Sequence, residues 1–475
     1  MKVTVHHLGL IEEAEIELKP LTILVGPNNV GKTWLTYTLS GILGKHGWIK
    51  YLDAYIDGKV SEQYLILDTL VQDLFDNGNA VLDLVQFAAE QGEQYINHIA
   101  QFAKNWMQEF LSTEKVSFDT LEVQIHLQET KDPFLENIKR ATINDRLSVG
   151  RVIDKPLIRS LKQSEEQKLY FYTNEGIAEK LPLRAVKEFV IGIVFRELLQ
   201  ALYPDVRTFP TERTTFITFL FQERDGSEEI VTVTNSDEGT AEESHKLRSQ
   251  SGPVGTFLDM IYALYRGSSF ARREKAARQD KVIRQYMQLA QVLEEQILSG
   301  KLDYSTPEPE PGREILFKPI GNAASVAPTM EIPIVSSMVK ELSPLVLYLR
   351  YLAKPGELLV IDEPEMNLHP EAQVKIIEFL AMLVNAGLRV LMTTHSTYVV
   401  DQVINLMEAY KQEDQDAITS LFFLQQKEAF ISQDNVAVYL VDEGTVESIL
   451  DENGVIHWNT FSDVTRRVQR IHLAL

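Results

Sequence analysis

The sequence predicts an α/β fold with a parallel central sheet, antiparallel strands near its N-terminus and a long, mainly helical insertion in its middle. Three observations predict it. Continuous apolar runs at 21–25 (LTILV), 357–361 (ELLVI) and 389–392 (RVLM) each end in a polar motif, as strands buried on both faces do. The last two are separated by helix-period sequence over 370–386, the alternation that produces parallel strands and crossover helices. Residues 60–112 instead keep apolar residues three and four positions apart, the spacing of one helical face.

Taken in order, KVTVHH and EAEIEL alternate like half-buried strands, and LTILV runs into Gly26 as a central strand. Helical pattern begins at Trp34. The expected organisation is a first core part over 1–59, a helical insertion or arm over 60–204, and core strands over 205–234 (VRTFPTERTTFITFLFQ and EEIVTVT). A helical region over 235–313 follows, opening on an acidic polar tract and closing in the stiff Pro/Glu linker STPEPEPGR. A second core part, 314–475, carries a helix from SSMVKEL, the strand ELLVIDEP, the helix at 370–386, the strand RVLMTTH and a hairpin turning at Glu443-Gly444.

Composition narrows the function. Among 475 residues there is no cysteine, which excludes disulfides, thiolate metal sites and a cysteine nucleophile and fits a reducing compartment. No basic, apolar leader opens the chain, and its most apolar helical stretch, 189–203, is interrupted by Arg196 and Glu197. A cytoplasmic protein with no membrane span is expected. The net charge of −22 opposes wholesale coating of DNA. The densest basic stretch, ARREKAARQDKVIR (271–284), is either a solvated helix face or a local DNA surface.

Three strand ends carry chemistry. Gly26-Pro-Asn28-Asn29-Val-Gly31-Lys32-Thr33 matches G-x-x-x-x-G-K-[ST] after a strand and before a helix. Glycines let backbone N–H groups wrap phosphates, and the helix N-terminus adds its dipole. Lys32 is suited to the β- and γ-phosphates of ATP and the Thr33 hydroxyl to Mg2+. In LLVIDEP, Asp362 is placed to hold Mg2+ and Glu363 to polarise an attacking water. A helix-capping cluster before Pro364 is the structural alternative. His395, at the end of LMTTHS, falls where it can sense the γ-phosphate.

GPNNVGKT, VIDEPEMNLHPEAQ and TTHS, in that order, resemble the ATP-binding-cassette (ABC) class of ATPases, in the branch shared by SMC and RecF proteins and closest to AAA15 or OLD-like ATPases. The resemblance implies an ABC-type P-loop ATPase head and covers the opening strands and the last third of the chain. It implies that SSMVKELSPL (336–345) is a signature helix completing the site of a second copy, with Ser337 and Lys340 as donors. Met338 stands where that family has glycine; an ordinary serine-capped helix is the other reading. It aligns 365–370 with the D-loop, and FPTERTT with a P-x-x-R element, giving Arg213 a nucleotide or interface role.

VYLVDEGTVESIL resembles the opening of a Toprim nuclease, but no D-x-D follows it, so any nuclease belongs to another chain. The implied function is an ATPase that uses ATP at a homodimer or higher homo-oligomer interface as a switch. The resemblance extends to ATPase subunits of Septu- and PARIS-type anti-phage systems, which act with a separately encoded effector such as an HNH or Toprim nuclease. The alternative is a RecF-like DNA-binding repair or recombination ATPase. A transporter motor fits neither the long insertion nor the signature helix.

Overall fold

The computed structural model describes residues 1–148, 157–173, 181–219, 231–233, 242–244, 252–266, 270–305, 314–321, 328–458 and 470–471. Most of the expected acidic loop and all but Ser305 of STPEPEPGR lie outside the described residues. The chain divides into a larger unit (Val5–Tyr37, Arg207–Arg224, Pro253–Leu475) and a smaller one (Met1–Thr4, Thr38–Val206, Asp225–Gly252).

Apart from the strand ends Lys2–Thr4 and Val206, the larger unit holds eight strands of a nine-stranded sheet: β1 (Lys2–Leu8), β2 (Ile11–Glu17), β3 (Leu21–Val25), β4 (Val206–Phe209), β5 (Leu358–Ile361), β6 (Arg389–Thr394), β7 (Val436–Asp442) and β8 (Thr445–Ser448). Their order is β1-β2-β8-β7-β3-β6-β5-β4. The four neighbours β7, β3, β6 and β5 are parallel, and β7 and β8 form the antiparallel hairpin expected at Glu443-Gly444. Leu21, Ile23, Leu24 and Val25 of β3 are fully buried, as an apolar run covered on both faces must be.

Register sets the site. Val25 pairs with Thr394, and Met392 with Ile361, so β3 and β6 end in line and β5 ends two residues earlier at the same edge. Gly26, His395 and Asp362, the residues just past these ends, therefore come to one sheet edge, where α/β folds bind ligands. The helices that matter there are α1 (Lys32–Leu43), α2 (Arg213–Phe219), α3 (Ser337–Tyr351), α4 (Pro370–Asn385) and α5 (Thr397–Tyr410).

Helix α2 corrects an expectation. TERTTFITF was expected to be strand, because β-branched and aromatic residues favour strands. It is helical from Arg213: Thr218 donates its hydroxyl to Thr214 O, Ile217 is fully buried, and the helix packs on α3. Tertiary packing overrides the propensity.

The smaller unit contains the expected helices, at Lys45–Ile56, Leu65–Asn77, Leu84–Phe102 and Leu183–Gln200. Between them lies a four-stranded antiparallel sheet in the order Asn79–Asp83, Lys168–Thr173, Ile158–Leu161, Arg146–Leu147, which the helical reading of the insertion did not include. These strands are two to six residues long, too short for their alternation to stand out from helix-period neighbours. Tyr51, Tyr55, Tyr64, Tyr95 and Phe195 form the aromatic centre of this unit. Among the described residues, no helix is long and apolar enough to cross a membrane.

Candidate functional site

The loop between β3 and α1 depends on two glycines. Gly26 has φ +149°, and a Cβ there would sit 2.2 Å from the Val441 carbonyl oxygen; Gly31 has φ +102°, with a Cβ only 2.9 Å from Ile11 Cγ1. Asn29 takes the left-handed conformation at φ 64°, and Asn28 and Asn29 are exposed at the tip. Any side chain at Gly26 would strike backbone, which cannot yield.

Lys32 opens α1 and is 6% exposed. Its Nζ donates to Gly26 O at 2.9 Å and Pro27 O at 2.6 Å. An ammonium has three donors, so one remains for a phosphate. Burial lowers the pKa of Lys32, and the charges of Glu363, Asp362 and Glu365 oppose that shift.

Asp362 is the hub. Thr33 Oγ1 lies 3.1 Å from both of its carboxylate oxygens, Thr211 Oγ1 donates at 2.6 Å, Tyr37 OH at 3.3 Å, and the Thr393 hydroxyl also donates to it. Burial, with the Asp362 charge beside it, holds the Tyr37 phenol well above its usual pKa and so protonated as a donor. Asp362 itself is 1% exposed. A buried carboxylate is stable there because hydroxyls occupy its lone pairs.

The residues fit Mg2+. That ion binds oxygen at roughly 2.1 Å in an octahedron, which puts neighbouring ligands about 3.0 Å apart. The Thr33 and Asp362 oxygens stand 3.1 Å apart. Two protein oxygens, with waters and phosphate completing the shell, is the usual manner of Mg2+ binding.

Glu363 follows in a left-handed conformation, φ 47°, held by its N–H donating to Thr393 Oγ1 at 3.0 Å. Its Oε1 lies 3.3 Å from His395 Nδ1. His395 is partly exposed, and its N–H donates to Glu365 Oε1 at 3.1 Å. Glu365 is 2% exposed and also accepts from the Thr394 hydroxyl; its Oε2 is buried with no hydrogen-bond partner among the described residues. Burial raises the Glu365 pKa, against the pull of those hydrogen bonds.

The structure thus brings Lys32, Thr33, Asp362, Glu363 and His395 together. Sequence reasoning missed Tyr37, Thr211, Thr393 and Glu365. Their signals were present in the hydroxyl-rich FPTERTT and MTTHS and in the second acid of DEPE. None of these has meaning until the strands align.

Two expectations change. Arg213, expected at the nucleotide or an interface, is 2% exposed and fully engaged inside the unit. It donates to Pro210 O, Asp362 O and Glu363 O and pairs with Glu341. Arg273, one candidate for a basic surface, is buried and donates to Ala353 O, because its helix turns that residue inward.

At α3 the cap is Ser336, whose Oγ accepts from the Val339 N–H at 3.4 Å. Ser337 is exposed, Lys340 Nζ donates to Pro333 O at 2.7 Å, and Met338 packs against the core. Neither Ser337 nor Lys340 makes a hydrogen bond to the Asp362 cluster among the described residues.

A family model described as "AAA domain, putative AbiEii toxin, Type IV TA system" matches residues 21–401. No curated protein matches the sequence. Among solved structures, an SMC head bound to the C-winged helix domain of ScpA is similar at 12% identity and a TM-score of 0.35, over 94% of this chain and 96% of that one. An SMC head with an extended coiled coil, bound to the C-terminal domain of ScpA from Pyrococcus furiosus, gives 11% and 0.33, over 99% and 98%. The SMC head domain from Thermotoga maritima gives 9% and 0.30, over 94% and 97%.

Proposed function

The chain belongs to this AAA domain family, and from that membership and the geometry around Asp362 we propose that it binds ATP with Mg2+ and hydrolyses it. The observation that carries the reading is the convergence of Thr33, Thr211, Thr393 and Tyr37 on one buried carboxylate beside a glycine loop. Such a hub fixes a metal ligand before the ligand arrives, and preorganisation of this kind is the main source of catalysis at phosphoryl groups.

The loop N–H groups and Lys32 hold the phosphates. Thr33 and Asp362 hold Mg2+, which supplies charge neutralisation on the phosphate oxygens. Glu363 takes the proton of the attacking water on its carboxylate, and His395, 3.3 Å from Oε1, orients that carboxylate and contacts the transferred group.

We further propose that the site is completed by a second copy. Ser337 is exposed at the start of α3, and exposed apolar residues flank the motifs: Ile334 before Ser337, Met366 after Glu363 and Tyr398 after His395. Apolar residues open to solvent beside functional segments are what an interface leaves on a single copy. In this reading ATP binding and turnover switch an assembly that controls a separately encoded effector, such as an HNH or Toprim nuclease, in anti-phage defence. The toxin named in the family description is compatible with such an effector-coupled role.

Glu363→Gln tests the reading directly. It should bind ATP normally, hydrolyse it at least about 100-fold more slowly, and accumulate an ATP-dependent dimer by light scattering. Normal turnover removes Glu363 as the base. Lys32→Ala should lose ATP binding in calorimetry, and wild-type affinity in that variant would refute the phosphate loop.

A further inference from the structure

Glu363 stands in the left-handed conformation, φ 47°, which strains a non-glycine residue. Such a residue persists only if its surroundings hold it. Part of the hold is Arg213: Nη1 donates to Asp362 O at 2.7 Å and Nη2 to Glu363 O at 2.9 Å, so one guanidinium grips the carbonyls on both sides of the Glu363 nitrogen and Cα. Nη1 is also tied to Pro210 O at 2.9 Å, at the end of the β4 segment.

The same Nη2 that donates to Glu363 O also pairs with Glu341, in the second turn of α3, and Glu341 in turn accepts from Asn367 Nδ2 at 3.5 Å in the segment after Glu363. Arg213 is 2% and Glu341 1% exposed, and the cavity beside them, of about 10 Å3, holds one water at most. A buried ion pair is a poor device for stability, since an apolar pair of like volume usually does as well or better. A planar fork that binds three carbonyls and a carboxylate at once is a good device for position, and lysine cannot reproduce it.

We propose that Arg213 and Glu341 are positioning residues that tie the N-terminal half of α3 to the left-handed peptide of Glu363, so that contacts made by Ser337 and Lys340 set where the Glu363 carboxylate stands. The proposal rests on the reading of Glu363 as the base. Helix α3 carries at its exposed tip the residues assigned to the second copy, and in its buried second turn the acid that holds Arg213. A shift of α3 alters the grip on Glu363 O, whereas the backbone of Lys32 and Thr33 is set by β3 and α1. Assembly therefore acts on hydrolysis and leaves ATP affinity largely alone.

The test uses the full chain with Arg213→Lys, Glu341→Gln and the milder Asn367→Gly, which retains the left-handed backbone at Asn367 and removes only its amide. ATP affinity, kcat per ATP-binding site and melting temperature are measured for each. Expected are ATP dissociation constants within about threefold of wild type, with kcat lowered about 10- to 100-fold for Arg213→Lys and Glu341→Gln and severalfold for Asn367→Gly. Turnover per subunit should rise with protein concentration in the wild type and stay flat in Arg213→Lys. The proposal is overturned by wild-type kcat in sites that still bind ATP. It is also overturned by a loss of affinity equal to the loss of kcat, which would make Arg213 a nucleotide ligand. Because kcat is counted per binding site, misfolded protein does not enter it, and Asn367→Gly reports even where the core variants fold poorly. Glu363→Gln in the same assay separates the two claims: if it is inactive while Arg213→Lys is normal, only the positioning inference fails.

Discussion

Two buried regions of this chain solve opposite problems. Around Tyr51, Tyr95 and Phe195 in the smaller unit, aromatic rings pack on one another: Tyr95 stacks on Phe195 at 4.4 Å, and its hydroxyl is met by a single carbonyl, Phe195 O, at 2.9 Å. Around Asp362 in the larger unit, one small carboxylate draws hydroxyls from Thr33, Tyr37, Thr211 and Thr393. The first region is held by area removed from water, which is non-directional and tolerant of rearrangement. The second is held by matched donors and acceptors in a low-dielectric setting, where each group depends on the others. The difference teaches where stability and where the proposed function reside: bulk burial supplies the first, and a costly, satisfied polar cluster around Asp362 is proposed to supply the second.

Three substitutions or conditions can break or sharpen that contrast, in descending order of effect. Phe195→Ala should cost about 3–5 kcal/mol of stability through lost burial and the cavity left behind, read as a fall in the denaturation midpoint. ATP affinity per folded molecule should hold, and a large loss of affinity in molecules that remain folded would end the division of labour. Asp362→Ala should act the other way. Activity per folded molecule should fall about 10^2- to 10^3-fold, or about 3–4 kcal/mol in the barrier, with Mg2+ no longer raising ATP affinity. Retained Mg2+ dependence would show that the hydroxyl hub is only structural.

The third concerns Glu341, whose carboxyl burial pushes up to about 7 from a usual 4.5, against the opposing pull of Arg213. Because the folded state holds this proton more tightly, its contribution to stability is fully present below about pH 4.5 and is lost as pH rises through about 7. The size is at most about 3.5 kcal/mol, from 1.36 kcal/mol per unit. Denaturation of the wild type between pH 5 and 8 should show this slope over that of Glu341→Gln, and equal slopes would mean that the ion pair offsets the burial entirely.

How much of this was legible in the sequence differs by element. The β3–α1 loop was readable residue by residue, because Gly26, Gly31, Lys32 and Thr33 lie within eight positions of one another in a single spacing pattern between a strand and a helix. Asp362, Glu363 and His395 were readable because each follows a buried strand. The Thr-rich α2 was misread as strand, since its hydroxyls are satisfied only once it turns and packs on α3. The small sheet at 79–83 and 146–173 was hidden by the brevity of its strands. Arg213 was visible as a residue of interest, yet its partners at 341, 362 and 363 lie far along the chain, and nothing local said that it faces inward.

By itself, then, the sequence determined the strand ends, the glycine loop and the groups proposed to hold phosphate and Mg2+, because these follow from short-range sterics and from chemistry carried by adjacent residues. Only the tertiary structure decided that Tyr37, Thr211 and Thr393 share one carboxylate, that Glu365 lies beneath His395, and that Arg213 joins the Glu363 peptide to α3. Those relations depend on strand register and helix packing across hundreds of residues. A parallel sheet brings such distant segments to a common edge through long-range pairings that no local pattern encodes.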